Sequence, residues 1–267
     1  MSSTATRFSY ISWGAGLQST TLVAMAVAGG VAADAIIFAD TQDEPEWVYE
    51  TLWYWRSRSR NIPIYVPSKG SLSEALRDKI ENGKRFANLP LWTAGTDGRA
   101  APLLRQCTRE WKIEVIAREV RRILGYQHGQ RVTHDVRCLL GISLDEAGRM
   151  RPNRYAWQVN EYPLIERRMK RGDCEAYLTE RGIPVPRRSS CRYCPYHSDS
   201  YWRDLKENYP DEFERACKVD DLVRGMSERG TQSPVFVHRS LVPLRRASFG
   251  ESQMDFFTEE CSGSCGV

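Results

Sequence analysis

A short apolar strand that runs into a glycine-rich turn and then a helix constrains this chain more than any other feature. Phe8, Tyr10 and Ile11 form the strand, and Ser12-Trp13-Gly14-Ala15-Gly16 the turn. Leu17 to Ala28, rich in Ala, Leu, Val and Met, forms the helix, and Gly29 and Gly30 stop it. Ala35-Ile36-Ile37-Phe38-Ala39 is a continuous apolar run, the pattern of a parallel strand covered on both faces. Pro45 opens a helix carrying Trp47, Tyr49, Leu52 and Trp55, Ile62 to Val66 reads as a third strand, and Ser71 is placed to cap a helix from Leu72 towards Ile80. This rhythm is that of a doubly wound, mostly parallel α/β sheet. Ligands of such sheets bind beyond the carboxyl ends of the strands, where both Gly14–Gly16 and Asp40–Thr41 stand.

Further along, the pattern weakens from Glu81 to Leu104, where Gly95, Gly98 and Pro102 mark a loop. Trp111 to Leu124 resumes helical periodicity, and Val132 to Ser143 reads as a strand ending in Gly141-Ile142-Ser143. Helical segments follow Tyr162-Pro163-Leu164, and Trp202 to Val223 reads as helix. The expected organisation is an α/β nucleotide-binding domain over 1–165, a helical region bearing a CxxC over 166–247, and a cysteine-containing tail over 248–267. A hydrophobic fraction of 41% over 267 residues suffices for a sizeable core. The net charge of +4 permits an anionic substrate without demanding one. The polar start, Met1 to Tyr10, and the lack of any long apolar stretch point to a cytoplasmic protein without membrane contact. In a reducing compartment the 8 cysteines read as ligands or packing residues rather than a disulfide framework.

Glycines between a strand and a helix let backbone N–H groups face an anion, and the helix amino end adds roughly half a positive charge. Ser12, Gly14, Ala15, Gly16, Gln18 and Ser19 are therefore candidate phosphate-binding positions, although a bare tight turn has the same sequence. The turn lacks the Gly-Lys-Ser/Thr of a Walker A loop and the spacing of a dinucleotide fingerprint. Asp40, Thr41, Asp43, Glu44 and Glu46 suit either Mg²⁺ and ribose contacts or helix capping. Arg105, Arg109, Lys112, Arg149 and Arg151 are candidates to clamp phosphate, with Glu146 placed to hold an arginine or a metal; surface ion pairs would read alike. Cys191-Arg192-Tyr193-Cys194 can chelate one metal or one edge of a cluster. Zinc would need two more ligands from His197, Cys107, Cys261 and Cys265. Cys138, Cys174 and Cys217 read as packing residues.

Taken in order, these segments resemble the phosphoadenosine-phosphosulfate reductase-like branch of the PP-loop ATP pyrophosphatases, with the adenine-nucleotide α-hydrolase fold. The similarity runs from Phe8 to about Leu244. Ser12 to Ser19 stands where the superfamily has Ser-Gly-Gly-x-Asp-Ser, with a longer turn and Gln18 in place of the usual acid or serine. Phe38-Ala39-Asp40-Thr41, Cys107-Thr108-Arg109-Glu110-Trp111-Lys112, Gly141 to Glu146, Tyr162-Pro163-Leu164, Ser190 to His197 and the ending Glu260 to Val267 recur in that branch. The resemblance implies ATP and Mg²⁺ binding, cleavage between the α and β phosphates, adenylation of an acceptor, and in many members sulfur transfer. It implies catalytic roles for Cys107, Arg109, Lys112, Asp145, Glu146 and Arg149, and nucleotide contacts from Asp40, Thr41 and Arg105 as well as the turn. The leading expectation is sulfur transfer through a [4Fe-4S] cluster on Cys107, Cys191 and Cys194, with Cys265, Cys261 or no fourth ligand. Three alternatives remain: sulfonucleotide reduction using Cys261 or Cys265, an adenylating ligase with structural zinc, and an RNA-binding module stacking bases on Trp47, Trp55, Trp92 and Trp157. The acceptor would be a tRNA base, a DNA phosphate or a small metabolite. A sulfur-donor protein and a second copy of the chain are candidate partners.

Overall fold

The computed structural model describes residues 7–82, 89–225 and 233–250. Its centre is a five-stranded parallel sheet in the order β3-β2-β1-β6-β7, made from Arg7–Ser12 (β1), Ala35–Ile37 (β2), Ile64–Tyr65 (β3), Asp135–Leu140 (β6) and Gln158–Glu161 (β7). The doubly wound sheet expected from the sequence is therefore present. After β1 the chain builds outward through β2 to β3, then returns to lay β6 on the other side of β1. That reversal makes the carboxyl end of β1 the topological switch point, where open α/β sheets bind ligands. Register brings Ser12, Ile37, Tyr65 and Leu140 level, so four strands end at one rim.

Strand alternation feeds two cores. Ile11, Ile36 and Leu139 face one side and pack with α1 (Leu17–Val27), α2 (Glu46–Arg58), α3 (Leu72–Glu81), α6 (Arg171–Thr179), α7 (Asp199–Asn208) and α8 (Pro210–Arg224). Tyr10, Ile37, Cys138 and Leu140 face the other side and meet Val115, Ile116 and Val120 of α4 (Glu114–Ile123). A one-turn helix, α5 (Pro163–Glu166), follows β7. Ser71 caps α3 as expected, its Oγ accepting from the Glu74 N–H at 3.1 Å. The expected helix over Trp202 to Val223 is two helices, because Pro210 cannot continue the first and opens the second.

The segment read as a loop around Gly95, Gly98 and Pro102 is a hairpin of β4 (Trp92–Ala94) and β5 (Ala100–Pro102), turning at Gly98 with a positive φ of 75°. A distant strand, β8 (Val235–Phe236), pairs antiparallel with β4 and completes a second, three-stranded sheet. Among the described residues, no helix is long and apolar enough to cross a membrane.

Candidate functional site

At the switch point, β1 hands over to α1 through Trp13 to Gly16. The Trp13 N–H donates to the Ile37 carbonyl at 2.9 Å, and its indole, buried edge-on against Phe38, donates to Thr20 Oγ1 at 3.1 Å. Ala15 takes a left-handed φ of 57°, which a residue with a Cβ adopts only at a cost of about 1–2 kcal/mol. No side chain caps α1 at Gly16, unlike Ser71 at α3 or Ser198 at α7. The amino end of α1 is thus a polar, positively polarised terminus without a side-chain acceptor on its own cap. Ser19 Oγ stays inside the turn, accepting from the Gly14 N–H at 3.3 Å and donating to the Gly16 carbonyl at 3.2 Å.

Gly141, just past β6, is the floor under this turn. A Cβ there would lie 2.4 Å from Ser19 Cα and 2.6 Å from Ser19 N, so only glycine lets the end of β6 approach α1 this closely. The approach delivers the next segment to the turn. Gln18 Nε2 donates to Glu146 Oε2 at 3.2 Å and to Ser143 Oγ at 3.5 Å, and Gln18 Oε1 accepts from Arg171 at 3.2 Å. Glu146 pairs with Arg149 at 3.1 Å. Asp145 accepts the Arg171 N–H at 3.2 Å; burial opposes its charge, but bonds from Ser143 and the Arg171 backbone hold it below the ordinary carboxylate range. Asp145, Glu146, Arg149 and Gln18 therefore do gather beside the turn. Arg171, remote in sequence, joins them without any local signal.

A second group forms past β2. Thr41 Oγ1 donates to Glu44 Oε1 at 3.1 Å, and the same oxygen pairs with Lys112 Nζ at 3.2 Å, both side chains being almost wholly buried. Cys191 Sγ lies 3.5 Å from Thr41 Oγ1 and 3.8 Å from Glu44 Oε1. Burial first, and then the Glu44 charge, push its thiol well above the usual range. His197 is kept neutral by burial and by Arg188, so its Nε2–H donates to the Cys191 carbonyl at 2.9 Å and clamps the CxxC turn. Lys112 reaches this group through a π-helical turn, Arg109–Ile113, ahead of α4. Such turns are frequent at functional sites.

The cationic clamp proposed from sequence does not assemble as one unit. Lys112 neutralises Glu44, Arg109 pairs with Glu114 at 3.0 Å, and Arg105 lies over the Tyr196 ring. Arg151 folds back on the carbonyls of Gly148 and Met150. Nor do the acids after β2 form one metal cluster: Asp40 Oδ1 accepts from the Gln42 N–H and the Tyr49 hydroxyl, and Asp43 ties to Ser71 and Ser73. Trp47, Trp55 and Trp92 are buried and unable to stack bases, whereas Trp53 is 60% exposed. Cys138, Cys174 and Cys217 are buried packing residues, as expected.

Among the described residues, no three His, Cys, Asp or Glu side chains are arranged to hold a metal ion. Cys107, Cys191 and Cys194 thus do not form a three-ligand set, and the Cys191 thiol is occupied by Glu44 and Thr41. Cys261 and Cys265 lie outside the described residues.

Neither a protein-family model nor a curated protein matches the sequence. Among solved structures, the chain is similar to a phosphoadenylyl-sulfate (PAPS) reductase from Candida auris in phosphate complex, at 16% identity and a TM-score of 0.42, over 67% of this chain and 74% of that one.

Proposed function

We propose that this protein is an enzyme that binds an adenine nucleotide by its phosphate tail at the β1–α1 turn and uses it to activate an acceptor. The observation that supports this most is the amino end of α1, left without a side-chain cap at the switch point of a parallel sheet. In the activation step an acceptor oxygen attacks the α-phosphorus of ATP. The P–O bond to the β-phosphate breaks, and pyrophosphate leaves with its electron pair.

Charge grows on the departing oxygens, so preorganised donors lower the barrier. The Trp13 and Gly14 N–H groups are bonded within the protein, so the turn amides from Ala15 onward serve the phosphates, and Gln18, Arg149 and Arg171 form the adjoining polar wall. Mg²⁺ accompanying such phosphates binds through one or two carboxylates, and Glu146, which accepts from Gln18 beside the turn, would supply one.

Calorimetry with ATP, with and without Mg²⁺, followed by ATP–pyrophosphate exchange across candidate acceptors, tests the proposal. Saturable ATP binding and exchange are expected. Sulfite release from a sulfonucleotide without ATP turnover would reassign the same turn to reduction. Absence of binding by either nucleotide would overturn the reading.

A further inference from the structure

Beside Asp43 and Arg192, a cavity of about 180 Å³ opens between α3 and α8. That exceeds the roughly 10–15 Å³ one water needs, and it admits a tetrahedral anion. Its walls carry Arg77 from α3, Arg192 from the CxxC turn, and Arg215 and Lys218 from one face of α8. Asp43 and Ser73 also line it.

The charges do not cancel. Asp43 is spent on the start of α3, accepting the Ser73 N–H at 2.8 Å and the Ser73 hydroxyl at 2.7 Å. Arg192 pairs with Glu212 at 3.2 Å and donates to the Glu44 carbonyl at 2.6 Å; Arg215 reaches the same Glu212 at 3.5 Å. Among the described residues, Arg77 and Lys218 make no ion pair or hydrogen bond. Lys218 does feel Glu214 one turn away, but that carboxylate is bound to Arg245. Four cations therefore line the hollow against Asp43, which is already engaged, and Glu212, which pairs with two of them, leaving guanidinium and ammonium donors facing the space.

We infer that this cavity is a second anion site, which takes a phosphate group of a ligand other than the nucleotide at the turn. Arg192 links it to the group past β2. Its N–H donates to the Asp43 carbonyl at 3.1 Å, within the segment whose Thr41 and Glu44 contact Cys191. The group so held belongs to the acceptor, which is a phosphomonoester or a phosphodiester. That assignment to the acceptor rests on the function proposed above; the anion site itself does not.

The test is calorimetry on the full chain, saturated with a non-hydrolysable ATP analogue, using ribose 5-phosphate and a short single-stranded oligonucleotide as probes. The variant is Arg77→Gln/Lys218→Gln; both positions are exposed on helix faces, and circular dichroism checks the fold. At least one probe is expected to bind and to weaken tenfold or more in the variant, while the ATP analogue binds both proteins alike. Whichever probe responds identifies the ester class. Binding by neither probe, or equal binding by both proteins, overturns the inference. If the analogue fails to bind but a probe still binds in a manner dependent on Arg77 and Lys218, the anion site stands and the nucleotide reading falls.

Discussion

Replacing Gly141 with alanine tests whether the junction of β6 and α1 is as tight as the structure shows. The new methyl would sit 2.4 Å, 2.6 Å and 2.9 Å from three backbone atoms of Ser19 and Gln18. Comfortable carbon contacts lie at about 3.5–4.0 Å, so strand and helix must part by about 1 Å. Overpacking a core costs about 1–3 kcal/mol, and here no rotamer change can relieve it, because the obstacle is main chain. A loss of about 3 kcal/mol is expected, which lowers the melting temperature by about 6–12 °C for a domain of this size. Urea unfolding and calorimetry measure it. ATP affinity should fall as well, since the moved atoms belong to the phosphate turn. A variant that melts within about 2 °C of the parent and binds ATP unchanged would refute the reasoning.

Lys112→Met strands the buried Glu44 carboxylate and should cost about 3–5 kcal/mol in urea unfolding, with Lys112→Met/Glu44→Gln recovering part of the loss. At Ala15, whose φ is 57°, valine should destabilise by at least about 1 kcal/mol and weaken ATP binding, while glycine should stay within about 0.5 kcal/mol of the parent by thermal melting. Burial raises the thiols of Cys138 to about 12 and Cys174 to about 11, so native mass-spectrometric alkylation at pH 8.5 should spare both. The folded state holds those protons longer than the unfolded chain, so stability should decline as pH climbs from the ordinary thiol value towards 11. His197 and His238 are both depressed by burial, so the unfolded chain takes up protons first and stability should drop as pH falls below 6.5 in pH-dependent unfolding.

Four strands of the central sheet were legible because they fall in apolar segments and their helices start at recognisable punctuation, such as Gly14–Gly16, Pro45 and Ser71, whereas β7, Gln-Val-Asn-Glu, carries no apolar run and was not read as a strand. The second sheet was not. Strands of two or three residues are too short to display a period, and β8 meets β4 only through tertiary contact. The positions of the turn and of Asp145 and Glu146 followed from strand ends. The fate of the cations did not, because counting charges around Cys107 says nothing of which way each points. The π-helical turn there, with its i→i+5 bonding, redirects Lys112 inward while Arg109 stays at the surface. Arg171 could not have been connected to Gln18 by any local pattern.

The pairing of β4 with β8 has a consequence for how the chain matures. During synthesis the hairpin emerges early but lacks its third strand until Val235 and Phe236 leave the ribosome. Until then its β4 edge is open to mispairing with any passing strand. Chains cut short ahead of residue 235 should therefore be prone to self-association even where the parallel sheet has formed, and this two-residue ribbon acts as a late latch on the finished molecule.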